Sequence, residues 1–183
     1  MLFRSLEPEK GVNATVEVAR IVNELTKLEN KSLGTSVVPT TMTSGTTTNT
    51  VPALATLDID SRSFSLDEMQ RIDSAIRSIT PIHPDARIEI AGGINRPPLE
   101  TSATLPLYQL AEKLAKDAGI SSLGSASVGG ASDGNFAAAA GARVLDGLGA
   151  VGGGAHAANE WASISAMEER TTFLNAFIKE LLK

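Results

Sequence analysis

Val51-Pro52-Ala53-Leu54-Ala55-Thr56-Leu57-Asp58-Ile59-Asp60-Ser61-Arg62-Ser63-Phe64, followed at once by Ser65-Leu66-Asp67-Glu68, decides how the first half of the chain reads. Val51, Ala53, Ala55, Leu57 and Ile59 alternate onto one face, while Thr56, Asp58, Asp60 and Arg62 take the other. A period of two is that of a strand. One apolar face and one polar face belong to a sheet covered on a single side. Ser65 and Glu68 have the Ser-x-x-Glu spacing of a capping box, so a helix starts there. Leu66, Met69, Ile72, Ile76 and Ile79 form its inward face, and Pro81 and Pro84 end it.

Upstream, Gly11 to Asn30 reads as a helix, with Ala14, Val18, Ile21, Val22, Leu25 and Leu28 on one stripe. Leu33-Gly34 closes it. Thr35 to Thr43 reads as a strand, in which Pro39 calls for an edge or a bulge. Ser44 to Asn49 is a Gly/Ser/Thr turn. Downstream, Ala86 to Ala91 reads as a last strand. The order is α-β-β-α-β, a ferredoxin-like β-α-β-β-α-β unit without its first strand. Gly92-Gly93 to Pro97-Pro98 is a hinge by composition. The chain therefore splits into residues 1–93 and 94–183.

The second part opens with a helix from Ser102 to Ala118, carrying Leu107, Leu110 and Leu114 and closed by Lys116 and Gly119. Then comes Ser127-Val128-Gly129-Gly130-Ala131-Ser132-Asp133-Gly134-Asn135-Phe136. Gly129 and Gly130 make a turn that a ligand can approach closely. Ser132 and Asp133 are N-cap candidates for a short helix from Asp133 to Ala140. A helix start suits a carboxylate. A strand is expected around Arg143 to Leu145, another at Glu160 to Ile164. Ser165-Ala166-Met167-Glu168 is a second capping box, opening a terminal helix with Met167, Leu174, Phe177, Ile178 and Leu181 inward. Strands alternating with helices suggest part of an α/β layer.

The chain has 183 residues and is 42% hydrophobic, enough to bury a core. Its net charge of −5 and dispersed basic residues argue against nucleic acid as a partner. It has no cysteine, hence no disulfide and no thiolate metal site. No apolar run is long enough to span a bilayer, and no export signal is visible, so no membrane partner is expected and the compartment stays open.

The run GGASDGNFAAAAGARVLDGLGAVGGGAHAANEW, residues 129–161, resembles zinc-dependent metallopeptidases of the carboxypeptidase G and aminoacylase type. The resemblance extends from about Ser5 to Lys183. It implies an α+β lid, the dimerisation domain, with its first strand missing, followed by part of an α/β zinc-peptidase catalytic domain. It implies that His156 is a zinc ligand and that Gly130, Ser132 and Asp133 line the substrate cleft. Asn49, before Thr50-Val51-Pro52, and Arg62, in Asp60-Ser61-Arg62, are implied to hold the substrate carboxylate, for which a planar guanidinium is suited. The family's lid begins with a strand ending in His-Ala-Gly, then Pro-Glu-x-Gly-x-Asn-Ala. Here Pro8-Glu9-Lys10-Gly11-Val12-Asn13-Ala14 matches the second motif, while Met1-Leu2-Phe3 stands where the first would be. The implied protein is a fragment of an amide hydrolase releasing a glutamate-like C-terminal amino acid from a small peptide or N-acyl amino acid. Its implied cofactor is zinc, two ions in the intact enzyme and at most a partial site here, and its implied assembly is a homodimer through the lid. No catalytic residue is assigned, since the Glu base and most ligands fall outside the match, and the chain is expected to be inactive alone. The alternative is a non-catalytic dimerisation or binding module.

From the residues alone, blander roles compete. Ser132 and Asp133 are explained by a helix cap, Asn49 by a turn, and Arg62 by pairing with Asp60. One loop histidine falls short of the three protein ligands zinc usually needs. His83, between two prolines, reads as a solvated loop residue. Gly147-Leu148-Gly149-Ala150-Val151-Gly152 fits G-x-G-x-x-G but leads into more glycine rather than a helix, so no dinucleotide site is expected. Glu168-Glu169 sits in a helix's first turn, where acidic residues favour the macrodipole.

Overall fold

Asn13 opens the first helix. Its side-chain oxygen accepts from the backbone N–H of Thr15 at 3.0 Å and of Val16 at 3.3 Å, occupying donors that a helix start leaves free. The computed structural model describes residues 10–120 and 123–183. The readings at Met1-Leu2-Phe3 and Pro8-Glu9 lie outside the described residues. The chain divides into two units, Met1–Pro98 and Leu99–Lys183.

The first unit runs α1 (Ala14–Leu25), β1 (Ser36–Ser44), β2 (Ala55–Arg62), α2 (Leu66–Arg77), with single 3-10 turns at Thr26–Leu28 and Lys31–Leu33. The helix expected over Gly11 to Asn30 is shorter because Asn13 caps its start and the 3-10 turn tightens its end. Leu25, Val37 and Ile72 form the core, walled by Ile21, Leu28, Leu57, Ile59, Ile76 and Ile79. Both helices therefore cover one face of the hairpin. Along β2, half-buried and exposed residues alternate from end to end, as the period of two predicts. Its ladder begins at Ala55; just before it the Leu54 carbonyl accepts from Gly45 N–H at 3.4 Å, while Val51 and Pro52 turn to the helix start. The Pro52 carbonyl accepts from Ala14 N–H at 2.9 Å, and Val51 is buried.

β1 and β2 are antiparallel, with Ser36 opposite Arg62 and Ser44 opposite Ala55, and the register shifts between Pro39 and Met42. Proline cannot donate to a ladder, so an irregularity at Pro39 follows from its chemistry. Among the described residues, the strand expected at Ala86 to Ala91 finds no partner. Ala86 and Ile88 are half-buried and Arg87 and Glu89 exposed, as in a strand, yet the segment joins no ladder among the described residues. The sheet of this unit is β1-β2 alone among the described residues. A strand is defined by its partner's hydrogen bonds. The central strand of the ferredoxin-like order, which would pair with this segment, is not among the described residues.

Glu68 ties these pieces together. It lies in the first turn of α2, where the Ser65 hydroxyl caps its N–H at 3.3 Å as the capping box predicts. Its carboxylate accepts from Thr35 Oγ1 at 2.7 Å and from Arg71 Nε at 2.7 Å, while Arg71 also donates to the Leu28 carbonyl at 2.8 Å. The Arg71 guanidinium, then the Thr35 hydroxyl, hold the Glu68 carboxyl down to about 2 from its ordinary 4.5. A folded-state value below the unfolded one stabilises the fold above the unfolded value, and that contribution is lost as pH falls through the folded value. Glu68→Gln is therefore expected to be less stable than wild type near neutrality, with the difference closing between pH 4.5 and about 2. Urea midpoints by circular dichroism across that range check it. A gap that stays constant with pH would show that Glu68 acts only through packing.

The second unit runs α3 (Thr101–Asp117), α4 (Gly134–Ala139), β3 (Gly152–Gly153), β4 (Trp161–Ala162), α5 (Ile164–Leu181). α3 ends as its sequence predicts. Gly119 takes φ +79, its N–H donates to the Lys116 carbonyl at 3.1 Å, and Ile120 N–H reaches back to Ala115 at 2.9 Å, the two bonds of a Schellman motif. Ala111 and Ala115 of α3 and Phe173 and Phe177 of α5 are the buried core, with Leu107, Leu110 and Leu114 flanking. The small alanines leave room for the two rings, stacked at 5.9 Å.

α5 is capped by Ser163, not Ser165. The Ser163 hydroxyl accepts from Ala166 N–H at 3.3 Å, and the helix starts at Ile164. That helix turns Phe173 and Phe177 inward, while Met167, Ile178 and Leu181 are exposed. Arg143 to Leu145 joins no ladder among the described residues. Val144 N–H donates to the Ala103 carbonyl at 3.1 Å, and Leu145 packs on the core. The strand at Glu160 to Ile164 shrinks to Trp161–Ala162, because Ser163 already serves as helix cap. The strands of this unit are two residues long, so no α/β layer is formed among the described residues.

Candidate functional site

In the second unit the chemistry gathers around Ser132. Its hydroxyl accepts from Gly134 N–H at 3.1 Å and donates to Asp146 Oδ2 at 2.6 Å, and its own N–H donates to Asn135 Oδ1 at 3.0 Å. The Ser132 hydroxyl and the Asn135 side chain thus each occupy a backbone N–H at the start of α4. Asp133 does not cap. Its backbone is already helical and its side chain makes no cap bond. Asp146 accepts in addition from Gly147 N–H at 2.7 Å. The Ser132 hydroxyl, then this N–H, hold its carboxyl below the usual carboxylate range. The sequence reading missed Asn135 as a partner. The Ser132-x-x-Asn135 spacing was its signal.

Gly130 lies on an exposed stretch. Neither it nor Gly129 takes a positive φ, and a Cβ on either would meet nothing within 4 Å. The backbone bends at Gly129 without a conformation that requires glycine. The later glycines are different. A Cβ on Gly152 would stand 2.0 Å from the Trp161 carbonyl oxygen, and one on Gly153 3.0 Å from the Trp161 indole nitrogen. They let β3 and β4 close up and hold the loop between them.

His156 rides at the tip of that loop, exposed. It is the non-glycine residue with positive φ among the described residues, at +65. Ala157 N–H donates to the Gly154 carbonyl at 2.9 Å, which puts His156 at the third position of a turn that normally takes glycine or asparagine. Such a conformation costs roughly 1–2 kcal/mol for a residue with a Cβ. Among the described residues no three His, Cys, Asp or Glu side chains come together to hold a metal ion.

In the first unit, Asn49 and Arg62 are not brought together. Asn49 is exposed in the connection between β1 and β2. That connection sits at the start of α1, where Thr15 and Ser44 hydroxyls meet at 2.6 Å. Arg62 ends β2 at the opposite end of the hairpin, paired with Asp60 at 2.8 Å. The length of β2 alone separates them by roughly 23 Å at about 3.3 Å per residue. One chain does not close both on a single carboxylate. A cleft of about 410 Å³ lies beside the connection, lined by Thr43, Ser44, Thr50, Val51, Pro52 and Leu54 among others. It is rich in hydroxyls and lacks a charged group.

Residues 4–83 match the family described as peptidase dimerisation domain. The match covers most of the first unit, and the small α+β architecture with its antiparallel hairpin fits it. It supports a peptidase-family relationship and a role in dimerisation. No curated protein matches the chain significantly. No helix of the described residues is long and apolar enough to cross a membrane.

Proposed function

We propose that this chain is a self-associating module of a metallopeptidase of the carboxypeptidase G and aminoacylase type, pairing through its first unit and carrying part of the catalytic domain in its second. The observation that carries this is the peptidase dimerisation match lying on a unit whose sheet has open edges among the described residues. β1 presents an outer edge with Val38 and Met42 exposed, a surface on which a second copy can continue the sheet.

The strained turn at His156 supports the peptidase relationship. A histidine kept where glycine fits better is a mark of functional constraint. His156 supplies at most one ligand of that family's zinc pair, and the remaining ligands and the Glu base come from outside the described residues. Asn49 and Arg62 serve the carboxylate of a small peptide or N-acyl amino acid only in an assembly that unites them. The chain alone is thus non-catalytic.

Light scattering over a range of concentrations is expected to show a dimer, and a strict monomer throughout would remove the module reading. With added zinc, N-acyl-glutamate substrates are expected to show no turnover. Turnover by the lone chain that vanishes in His156→Ala would reverse the non-catalytic assignment while leaving the dimer result untouched.

A further inference from the structure

Helix α5 has two apolar faces. Phe173 and Phe177 occupy the buried one. The other carries Ile164, Met167, Thr171, Leu174, Ile178 and Leu181, spaced in alternating steps of three and four residues. That spacing averages 3.5 residues, the repeat of a helix–helix seam. Leu174 leans on the unit's own core, but Ile164 is 80% exposed, Met167 54%, Ile178 52% and Leu181 49%. A helix that serves one core needs a single stripe.

We infer that this stripe pairs with α5 of a second copy, running antiparallel. The charges beside the seam select copy and direction. Glu168 lies in the first half of α5 and Lys179 in the second, both exposed. A two-fold axis between Thr171 and Leu174 sets Thr171 against Leu174 of the other copy, Met167 against Ile178, and Ile164 against Leu181. It brings Glu168 within about 3 Å along the axis of the other copy's Lys179, a two-residue offset, twice, and it opposes the two helix dipoles. A parallel arrangement forfeits both. Exposed ion pairs add little affinity, so they act here on orientation. The seam is shorter than three heptads and gains from any other contact that raises the local concentration of copies.

The chain has no cysteine, so introduced thiols report cleanly. M167C and I178C chains are each oxidised alone and as an equimolar mixture. Antiparallel pairing places the two sites level in the mixture, whereas identical sites lie about 16 Å apart along the axis at 1.5 Å per residue, beyond the roughly 7 Å reach of a disulfide. The expected result is mixed disulfide in excess by about tenfold, since paired sites share a high effective concentration. Equal cross-linking within each variant alone would mean a parallel pair and overturn the proposal. Absence of the mixed disulfide at every concentration would overturn it too, and would assign the stripe to a different partner. Light scattering on I178E separates this contact from association through the first unit. I178E loses the α5 contact and keeps the other, so either can fail without the other.

Discussion

Phe173→Ala is expected to destabilise the second unit by about 3–5 kcal/mol, the range for deleting a fully buried phenylalanine. Phe173 has no exposed surface. Two of the four buried side chains of that core are already alanine, so little is left that can collapse into the space. The substitution also breaks the stack with Phe177, a further contribution of about 0.5–1.5 kcal/mol. Small domains have roughly 5–15 kcal/mol in total, so most of the unit's stability is at stake. The chain's one tryptophan, Trp161, and one tyrosine, Tyr108, both belong to this unit. Urea unfolding followed by fluorescence therefore reads it selectively. Phe173→Leu keeps most of the volume and is expected to lose about 1–1.5 kcal/mol. A Phe173→Ala variant as stable as Phe173→Leu would mean that the contact between α3 and α5 is not what holds the unit.

Gly34→Ala is the second large effect, about 2–4 kcal/mol, and its cause is different. Gly34 takes φ +66 where the 3-10 turn gives way to β1, which costs an alanine roughly 1–2 kcal/mol. A Cβ there would also stand 2.3 Å from the Phe64 ring, and such overpacking typically adds about 1–3 kcal/mol. Phe64 is 45% exposed and can swing aside, which places the sum below the extremes. The first unit has neither tryptophan nor tyrosine, so the measurement is amide exchange at Val37 and Ile72, in its core. Combining Gly34→Ala with Phe64→Ala removes the steric part and leaves the backbone part. Exchange rates equal to wild type in the single variant would contradict both.

What the sequence conveys well is whatever depends on neighbouring residues. The alternation in β2, the capping box at Ser65, the glycine stop of α3 and the irregularity at Pro39 are local, and each is found where its residues stand. What it conveys poorly depends on partners. Residues 86–89 keep a strand's alternation of burial, but among the described residues they have no ladder partner. The last helix has two apolar faces, and periodicity cannot say which of them a core will take. Ser165 and Ser163 both satisfy a cap pattern, and one turn of chain decides between them. At the candidate site, Ser132 and Asp146 are fourteen positions apart, so their bond is invisible in the sequence. Asn49 and Arg62 look like a pair in one dimension because they are close along the chain, and the hairpin holds them at opposite ends.

The shift in register between Pro39 and Met42 bears on solubility. An open strand edge is a template for further strands, and a long regular one invites growth into fibrils. β1 is not regular. Pro39 offers no N–H, and the bulge divides its nine residues into two short ladders out of phase with each other. On the other strand, the open face carries Asp58, Asp60 and Arg62, charges that a stacked layer would have to bury. An edge of this kind can accept one matched neighbour and then stops, since each added copy brings the same interruption. Smoothing it, by replacing Pro39 with a residue that donates, removes that stop and is expected to turn an edge that limits growth into one that permits it.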